Sequence, residues 1–470
     1  MQKHLSYACK VGSYACKVGP VLPVLVGVLT VMSMFSANAY RLHWGQLPIP
    51  LAVASSVAVI LWLIFWAIPP TRNTAPILAT ILTVVAMLWS VLGNPTIIVA
   101  VVILVILVVL RIRNLTYVTT YVTLGLLIIT LIALAASGIQ ALIKGSSAQV
   151  KMDQTAIALK SDDLPDIYFI VPDRFPSAEA LRESGYDPDG FVEALRARGF
   201  YVREDAISPD TLGAEGSKTP RTLRYLASAL NMTELDSDID YDLARGMLEN
   251  HLVGKVLQTA GYTYHHIGSW WGETSINKQA DRNYIYRGFT PRDYIYQDEF
   301  AAAVLQRSIA NALDIYPLSP NNVAADFERR RHQFQLESVK EIASSGKTPV
   351  FVFVHLMLPH PPYLWTSSGQ PQEARTDDLQ WLYLEQVEFA EGYLLDMVDS
   401  ILIKNPEAVI IVQADEGMKY DNKEWNQTLS DTQWRGVLTA WYTPNSNDAE
   451  LDTLEVHQIL KHVIEKLNEE

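Results

Sequence analysis

The first 150 residues of this 470-residue chain contain no aspartate or glutamate, while residues 151–470 hold all 51 acids and 29 of the 37 Lys/Arg. A charged side chain at membrane depth is costly, so a long carboxylate-free stretch marks a membrane-embedded region. The chain is therefore read as two unlike parts, a membrane region and an acidic, water-facing one. The composition also excludes a nucleic-acid partner, because no large basic face is available to offset phosphate charge.

Five apolar runs fill the first part, at 20–36, 47–68, 75–92, 97–110 and 117–143. A spanning helix takes about 17–25 mostly apolar residues. The pattern predicts a cytoplasmic tail over 1–19, five transmembrane helices over 20–143, a polar linker over 144–163 and an outer domain over 164–470. Gly93-Asn94-Pro95 turns the third run into the fourth. With the N-terminus inside, Lys3, Lys10, Lys17, Arg72, Arg111 and Arg113 face inward, and only Arg41 and Lys144 face out. That excess of inner positive charge sets the orientation and puts 151–470 outside a plasma membrane. The first run is not read as a cleaved signal, because no A-x-A site leads into soluble sequence. No Asp, Glu, Lys, Arg or His lies inside any run, which argues for an anchor and against a transporter. The two cysteines, Cys9 and Cys16, lie in a tandem SYACKVG repeat, and the acidic part has no thiol chemistry.

In the second part, apolar strand-like runs at 167–171, 262–267, Val350–Leu356, 409–412 and 437–442 alternate with helical patterns at 191–198, 223–230, 253–259 and 381–404. Short buried strands alternating with helices predict an α/β domain with a central, largely parallel sheet. Ligands bind such sheets beyond the carboxyl ends of the strands. Three ends carry chemistry: Asp173 in VPDR, His360 in PHPPY, and Asp415-Glu416 in ADEG. Carboxylates gathered on one rim repel, and a divalent cation relieves that repulsion. Leu223, Leu226, Ala227 and Leu230 share one helical face, with Thr219 expected at the N-cap and Pro220 at the first helical position. Thr222 then falls in the first turn, where a metal-activated hydroxyl could attack a tetrahedral ester held by Arg221 or Lys218.

Several neighbours are read as packing groups. His265-His266 and His355 are expected to be sheet histidines, Trp270-Trp271 core or rim residues, and Arg435 one half of an ion pair. Trp425 and Lys419 border the expected pocket without an assigned role.

Seven segments in order, PDIYFIVPDR, PDGFVEALRARGFYV, TPRTLRYLASALNM, GYTYHHIGS, FVFVHLMLPHPPY, IIVQADEG and WRGVLTAWYTP, resemble the sulfatase branch of the alkaline phosphatase superfamily. The resemblance covers roughly 164–445. It is closest to the membrane-anchored, sulfatase-like group related to lipoteichoic acid synthase and phosphoethanolamine transferases. It implies that Asp173, Thr222, Asp415 and Glu416 hold the metal, that Thr222 is the nucleophile, and that His360 meets substrate oxygens or protonates the leaving group. Glu416 stands where the group usually has His or Asn, which favours one hard ion, Ca, Mn or Mg, over Zn. Thr222 excludes the formylglycine chemistry of true sulfatases, so hydrolysis or transfer on phosphate esters of envelope lipids or glycans, ahead of sulfate esters, is the expected activity. A non-catalytic binding or sensor protein on the same fold is the alternative.

Overall fold

The structure, a computed structural model, describes residues 21–38, 42, 44–69, 74–89, 103, 164–209, 219–288, 299–309, 320–346, 349–373, 376–444, 454–455 and 458–466. The chain divides into two compact units. One comprises Met1–Ser147 and Arg287–Phe327, the other Ala148–Tyr286 and Glu328–Glu470.

In the first unit, α1 (Val21–Ala37), α2 (Pro48–Ala67) and α3 (Ala75–Met87) form from the first three apolar runs. None carries a charged residue. Pro sits in the first turn of α2 and of α3, where its missing N–H costs nothing. Val31, Met32 and Phe35 of α1 pack with Ala54 of α2, Met87 of α3, and Phe300 and Val304 of the helix Glu299–Gln306. Among the described residues, one helix, Trp44–Ala67 with its lead-in turn, is long and apolar enough to cross a membrane, and α1 and α3 are shorter. The expected fourth and fifth spans lie, Ile103 apart, outside the described residues.

The second unit is built on a seven-stranded sheet in the order β2-β7-β6-β1-β5-β3-β4. The strands are β1 (Ile167–Pro172), β2 (Tyr201–Val202), β3 (Thr263–Ile267), β4 (Arg282–Tyr284), β5 (Val350–Leu356), β6 (Val409–Gln413) and β7 (Thr439–Tyr442). The sheet is mixed, which qualifies the parallel expectation. β6-β1-β5-β3-β4 run parallel, while β7 pairs antiparallel with both β6 and β2. Every residue of β1, β5 and β6 is buried. Sheet strands buried on both faces read as continuous apolar runs, which is why these three announce themselves.

Two helices place the site. α4 (Arg221–Asn231) is buried along its whole length. Its N-cap is Pro220, not Thr219 as expected, and Thr219 instead donates its hydroxyl to the Ile239 carbonyl at 2.6 Å. The helix thus begins with Arg221 and Thr222. α5 (Leu252–Thr259) is capped by His251, whose Nδ1 accepts from the Gly254 N–H at 2.9 Å.

Candidate metal centre

The order of the central strands brings three chain ends together. Ile170 of β1 pairs with Val412 of β6, so Asp173 and Asp415 each lie three residues beyond a paired position. Val171 pairs with His355 of β5, two residues before Asp173, and alternation along a strand puts side chains two apart on one face. The Asp173 N–H donates to the Leu356 carbonyl at 2.8 Å, carrying the pairing one step past the strand end.

The result is a buried group of Asp173, His355 and Asp415, one donor atom from each lying within 4.8 Å of the others. His355 Nε2 is 3.6 Å from Asp173 Oδ2. Asp173 Oδ1, His355 Nε2 and Asp415 Oδ2 are all buried without a hydrogen-bond partner. Buried polar atoms are nearly always satisfied, so an unpartnered atom on each of three clustered residues fits a bound cation. The charges agree. Burial, Asp173 and Glu416 push the Asp415 carboxyl well above its usual range. Burial also raises Asp173, but His360, His355 and Arg174 outweigh it and hold that carboxyl below its usual value. Two carboxylates this close need a positive charge between them.

His355 was expected to be a sheet histidine, and it is one by position. It is also a member of this group, because β5 lies beside β1. A lone polar residue inside the otherwise apolar VFVFVHL run was the available signal.

Around the group, the turn after β1 puts Arg174 in the left-handed region (φ 63°). There its N–H reaches Asp415 Oδ1 at 3.3 Å, and Tyr383 donates its hydroxyl to the Arg174 carbonyl at 2.6 Å. Arg174 Nη1 pairs with Asp421 at 3.1 Å, and Nε lies 3.8 Å from both Asp173 and Glu416. Thr222 sits in the first turn of α4 and donates to Glu416 Oε1 at 3.3 Å, and its hydroxyl also bonds Asp415. Glu416 lies beside the three-residue group, with Lys419 Nζ at 3.3 Å from its Oε2. Burial raises the Glu416 carboxyl, but Lys419, Arg221 and Arg174 outweigh it and hold it down to about 2. Arg221 stacks over the Trp434 ring at 4.5 Å and donates to the Trp434 carbonyl at 3.0 Å. Lys419 lies 5.9 Å from the centre of that same ring.

His360 faces the edge of Trp270 at 5.6 Å, and its Nδ1 bonds the Pro361 carbonyl. Burial and Arg174 hold its pKa below the usual imidazole value. Trp271 packs edge-on to His355 at 5.9 Å. The two indoles therefore pack against site histidines, which the rim expectation did not specify. His265 stacks on Tyr284 and His266 on Phe353, both as packing groups. Arg435 pairs with Asp431 at 3.2 Å. Lys218 lies outside the described residues.

Neither a protein-family model nor a curated protein matches the sequence. Among solved structures, several are similar in outline to this chain. One is the C-terminal periplasmic domain of EcEptC from Escherichia coli in complex with Zn, at 13% identity and a TM-score of 0.41, covering 66% of this chain and 84% of that one. Another is the integral membrane lipooligosaccharide phosphoethanolamine transferase A of Neisseria meningitidis, at 11% identity and 0.40, covering 96% and 92%. A third is the lipoteichoic acid synthase LtaP of Listeria monocytogenes, at 11% and 0.35, covering 65% and 71%. At such identities the likeness is one of outline, and residue roles rest on the geometry above.

The expectation of a hard ion, Ca, Mn or Mg ahead of Zn, does not stand. It assumed a cage of oxygens. The group that converges includes the imidazole nitrogen of His355, a donor suited to zinc.

Proposed function

We propose that the second unit is a metal-dependent, sulfatase-like hydrolase or transferase that works outside the membrane on phosphate or sulfate esters of envelope lipids or glycans. The observation that carries this is the meeting of Asp173, His355 and Asp415, each with a buried polar atom that lacks a hydrogen-bond partner, beside the Thr222 hydroxyl. These three residues would hold a zinc-type ion. When bound, such an ion neutralises developing negative charge and lowers the pKa of a neighbouring hydroxyl. The zinc-bound EcEptC domain and the transferase named in its relative support the choice of metal and of an envelope substrate.

The chain's own residues do the rest. Thr222 is the nucleophile. Its proton passes to Glu416, which already accepts its hydrogen bond. A bond forms between Thr222 Oγ1 and the ester's phosphorus as the bond to the leaving oxygen breaks. Arg221, at the first helical position, and Lys218 hold the non-bridging oxygens. His360, whose Nδ1 is engaged by the Pro361 carbonyl, serves as the acid for the leaving oxygen through Nε2 in its protonated form. Water or an acceptor hydroxyl then takes the group from Thr222. Upstream, α1 to α3 and the remaining apolar runs form a multi-pass anchor, with the N-terminus inside and residues 151–470 outside.

Thr222→Ala is expected to lower turnover of a fluorescent phosphatidylethanolamine, or of a p-nitrophenyl phosphodiester, by at least ~10³-fold while leaving the melting temperature unchanged. Mass spectrometry of the stalled wild-type protein should find Thr222 carrying the phosphoryl group together with the ester arm that did not leave, which is phosphoethanolamine when the lipid loses diacylglycerol. Turnover that survives the substitution rejects Thr222 as nucleophile.

A further inference from the structure

A line of buried polar groups runs from the cap of α5, across β3, to His355. The Gly254 N–H can only donate, so His251 Nδ1 accepts, and the proton of the neutral ring lies on Nε2. Nε2 faces the Tyr264 hydroxyl at 3.1 Å, and that hydroxyl faces His266 Nδ1 at 3.2 Å. His266 Nε2 reaches the Thr274 carbonyl at 2.8 Å, which can only accept. The two ends, a fixed donor and a fixed acceptor, impose one direction on the whole chain. His251 donates to Tyr264, Tyr264 to His266, and His266 to Thr274. Burial favours neutral rings throughout, lowering His251 to about 3 and His266 to about 4.

Thr274 then meets His355, its Oγ1 lying 2.7 Å from Nδ1. The Thr274 proton has its own acceptors, Ser269 Oγ at 2.9 Å and the Trp271 carbonyl at 3.5 Å. Ser269 is in turn held by the Trp271 N–H at 3.1 Å. Gln335 Nε2 ties the loop to the strand, donating to the Gly268 and His355 carbonyls at 2.9 Å each. His355 has two neutral forms. With the proton on Nε2, that proton would point at Asp173 Oδ2, 3.6 Å off and beyond hydrogen-bond reach. With the proton on Nδ1, it is donated to Thr274 Oγ1, the Thr274 proton goes to Ser269 Oγ or the Trp271 carbonyl, and Nε2 is left on the side of the two carboxylates.

We propose that Thr274 is a positioning residue for the metal centre. It fixes His355 in the Nδ1-protonated form, and the His251–Tyr264–His266 line fixes Thr274. The inference rests on reading Asp173, His355 and Asp415 as a metal site. Polar groups behind a ligating histidine set its tautomer and direction, and their loss typically costs about 10–100-fold in metal affinity.

The test uses the full chain in detergent with ¹⁵N-labelled histidine, the His355 signal being assigned by its loss in His355→Asn. The metal-free protein should show a protonated Nδ1 and a bare Nε2 at His355, with Nε2 shifting when Zn²⁺ is added. Thr274→Val, nearly isosteric, should weaken Zn²⁺ binding about 10–100-fold, and Thr274→Ser should restore it. The His251 and His266 signals should persist in Thr274→Val, because the 274 carbonyl is retained, and so report an intact loop. A proton on Nε2 of His355 in the wild-type chain overturns the proposal, as does wild-type affinity in Thr274→Val. A wild-type chain that takes up no Zn²⁺ overturns the metal reading instead, and the nitrogen signals then still decide what Thr274 does.

Discussion

Glu391 opposes the fold when it ionises. It is buried on α6 (Leu379–Leu402), its one close partner is the Tyr186 hydroxyl at 2.7 Å, and burial raises its pKa to about 8. The unfolded chain binds this proton only below about pH 4–5. Between that value and pH 8 the folded state therefore holds more protons, and this group's contribution to stability falls as the pH rises. Glu391→Gln keeps an acceptor for Tyr186 and removes the titration. The melting temperature of the variant should exceed wild type at pH 8 by more than at pH 5, the extra gap being on the order of 2–4 °C for each kcal/mol recovered. An equal offset at both pH values would refute the assignment. At this scale the sequence showed the site unevenly. Asp173 and Asp415 stood out because each ends a run of buried strand residues. His355 did not, since one histidine inside a strand gives no hint of its neighbours until β5 is known to lie beside β1. Glu416 was legible as a carboxylate, but not its contacts with Lys419 and Thr222, which depend on where α4 and the turn after β6 meet.

The elements were easier to read than their edges. Val350–Leu356 forms the strand its pattern predicts, and β1 and β6 each run one residue beyond expectation. Their apolar runs are continuous because both faces are covered, and continuity leaves few alternatives. The two- and three-residue strands β2 and β4 gave no such signal, because partner strands recruit them and their own patterning does not. Nor did the sequence announce the loop after β3, where Gly268 has a specific reason. A Cβ there would lie 2.4 Å from both the Thr274 and Ser275 carbonyl oxygens, and backbone cannot swing aside as a side chain can. Gly268→Ala should therefore destabilise the fold by about 1–3 kcal/mol. By moving Thr274 away from His355, it should also weaken Zn²⁺ binding, measured together with thermal melting. A comparable loss of stability with wild-type Zn²⁺ affinity would separate the loop from the centre.

At the scale of the molecule, the uneven placing of charge is the strongest constraint. Eight cations and no anions in the first 150 residues, against 29 and 51 in the rest, do not arise in a chain that meets a single solvent. The second unit could take its α/β form from patterning alone, whereas the layout of the first depends on a bilayer, and among the described helices only α2 with its lead-in turn is both long and apolar enough to span. Orientation follows from where the cations fall, since Lys and Arg in short loops resist transfer across the membrane. The chain supplies its own probe, because Cys9 and Cys16 are its only thiols and both precede the first apolar run. In sealed spheroplasts a membrane-impermeant maleimide should leave the wild-type chain unlabelled and should react only after lysis. Ser368→Cys, at an exposed position of the second unit, should be labelled without lysis. An inverted pattern would place the candidate centre on the cytoplasmic side, away from any extracytoplasmic lipid or glycan, and would leave the chemistry of Asp173, His355 and Asp415 in need of a different substrate. Labelling of both thiol sets from outside would mean an even number of spans, and one of the five apolar runs would then be a buried helix or a re-entrant segment.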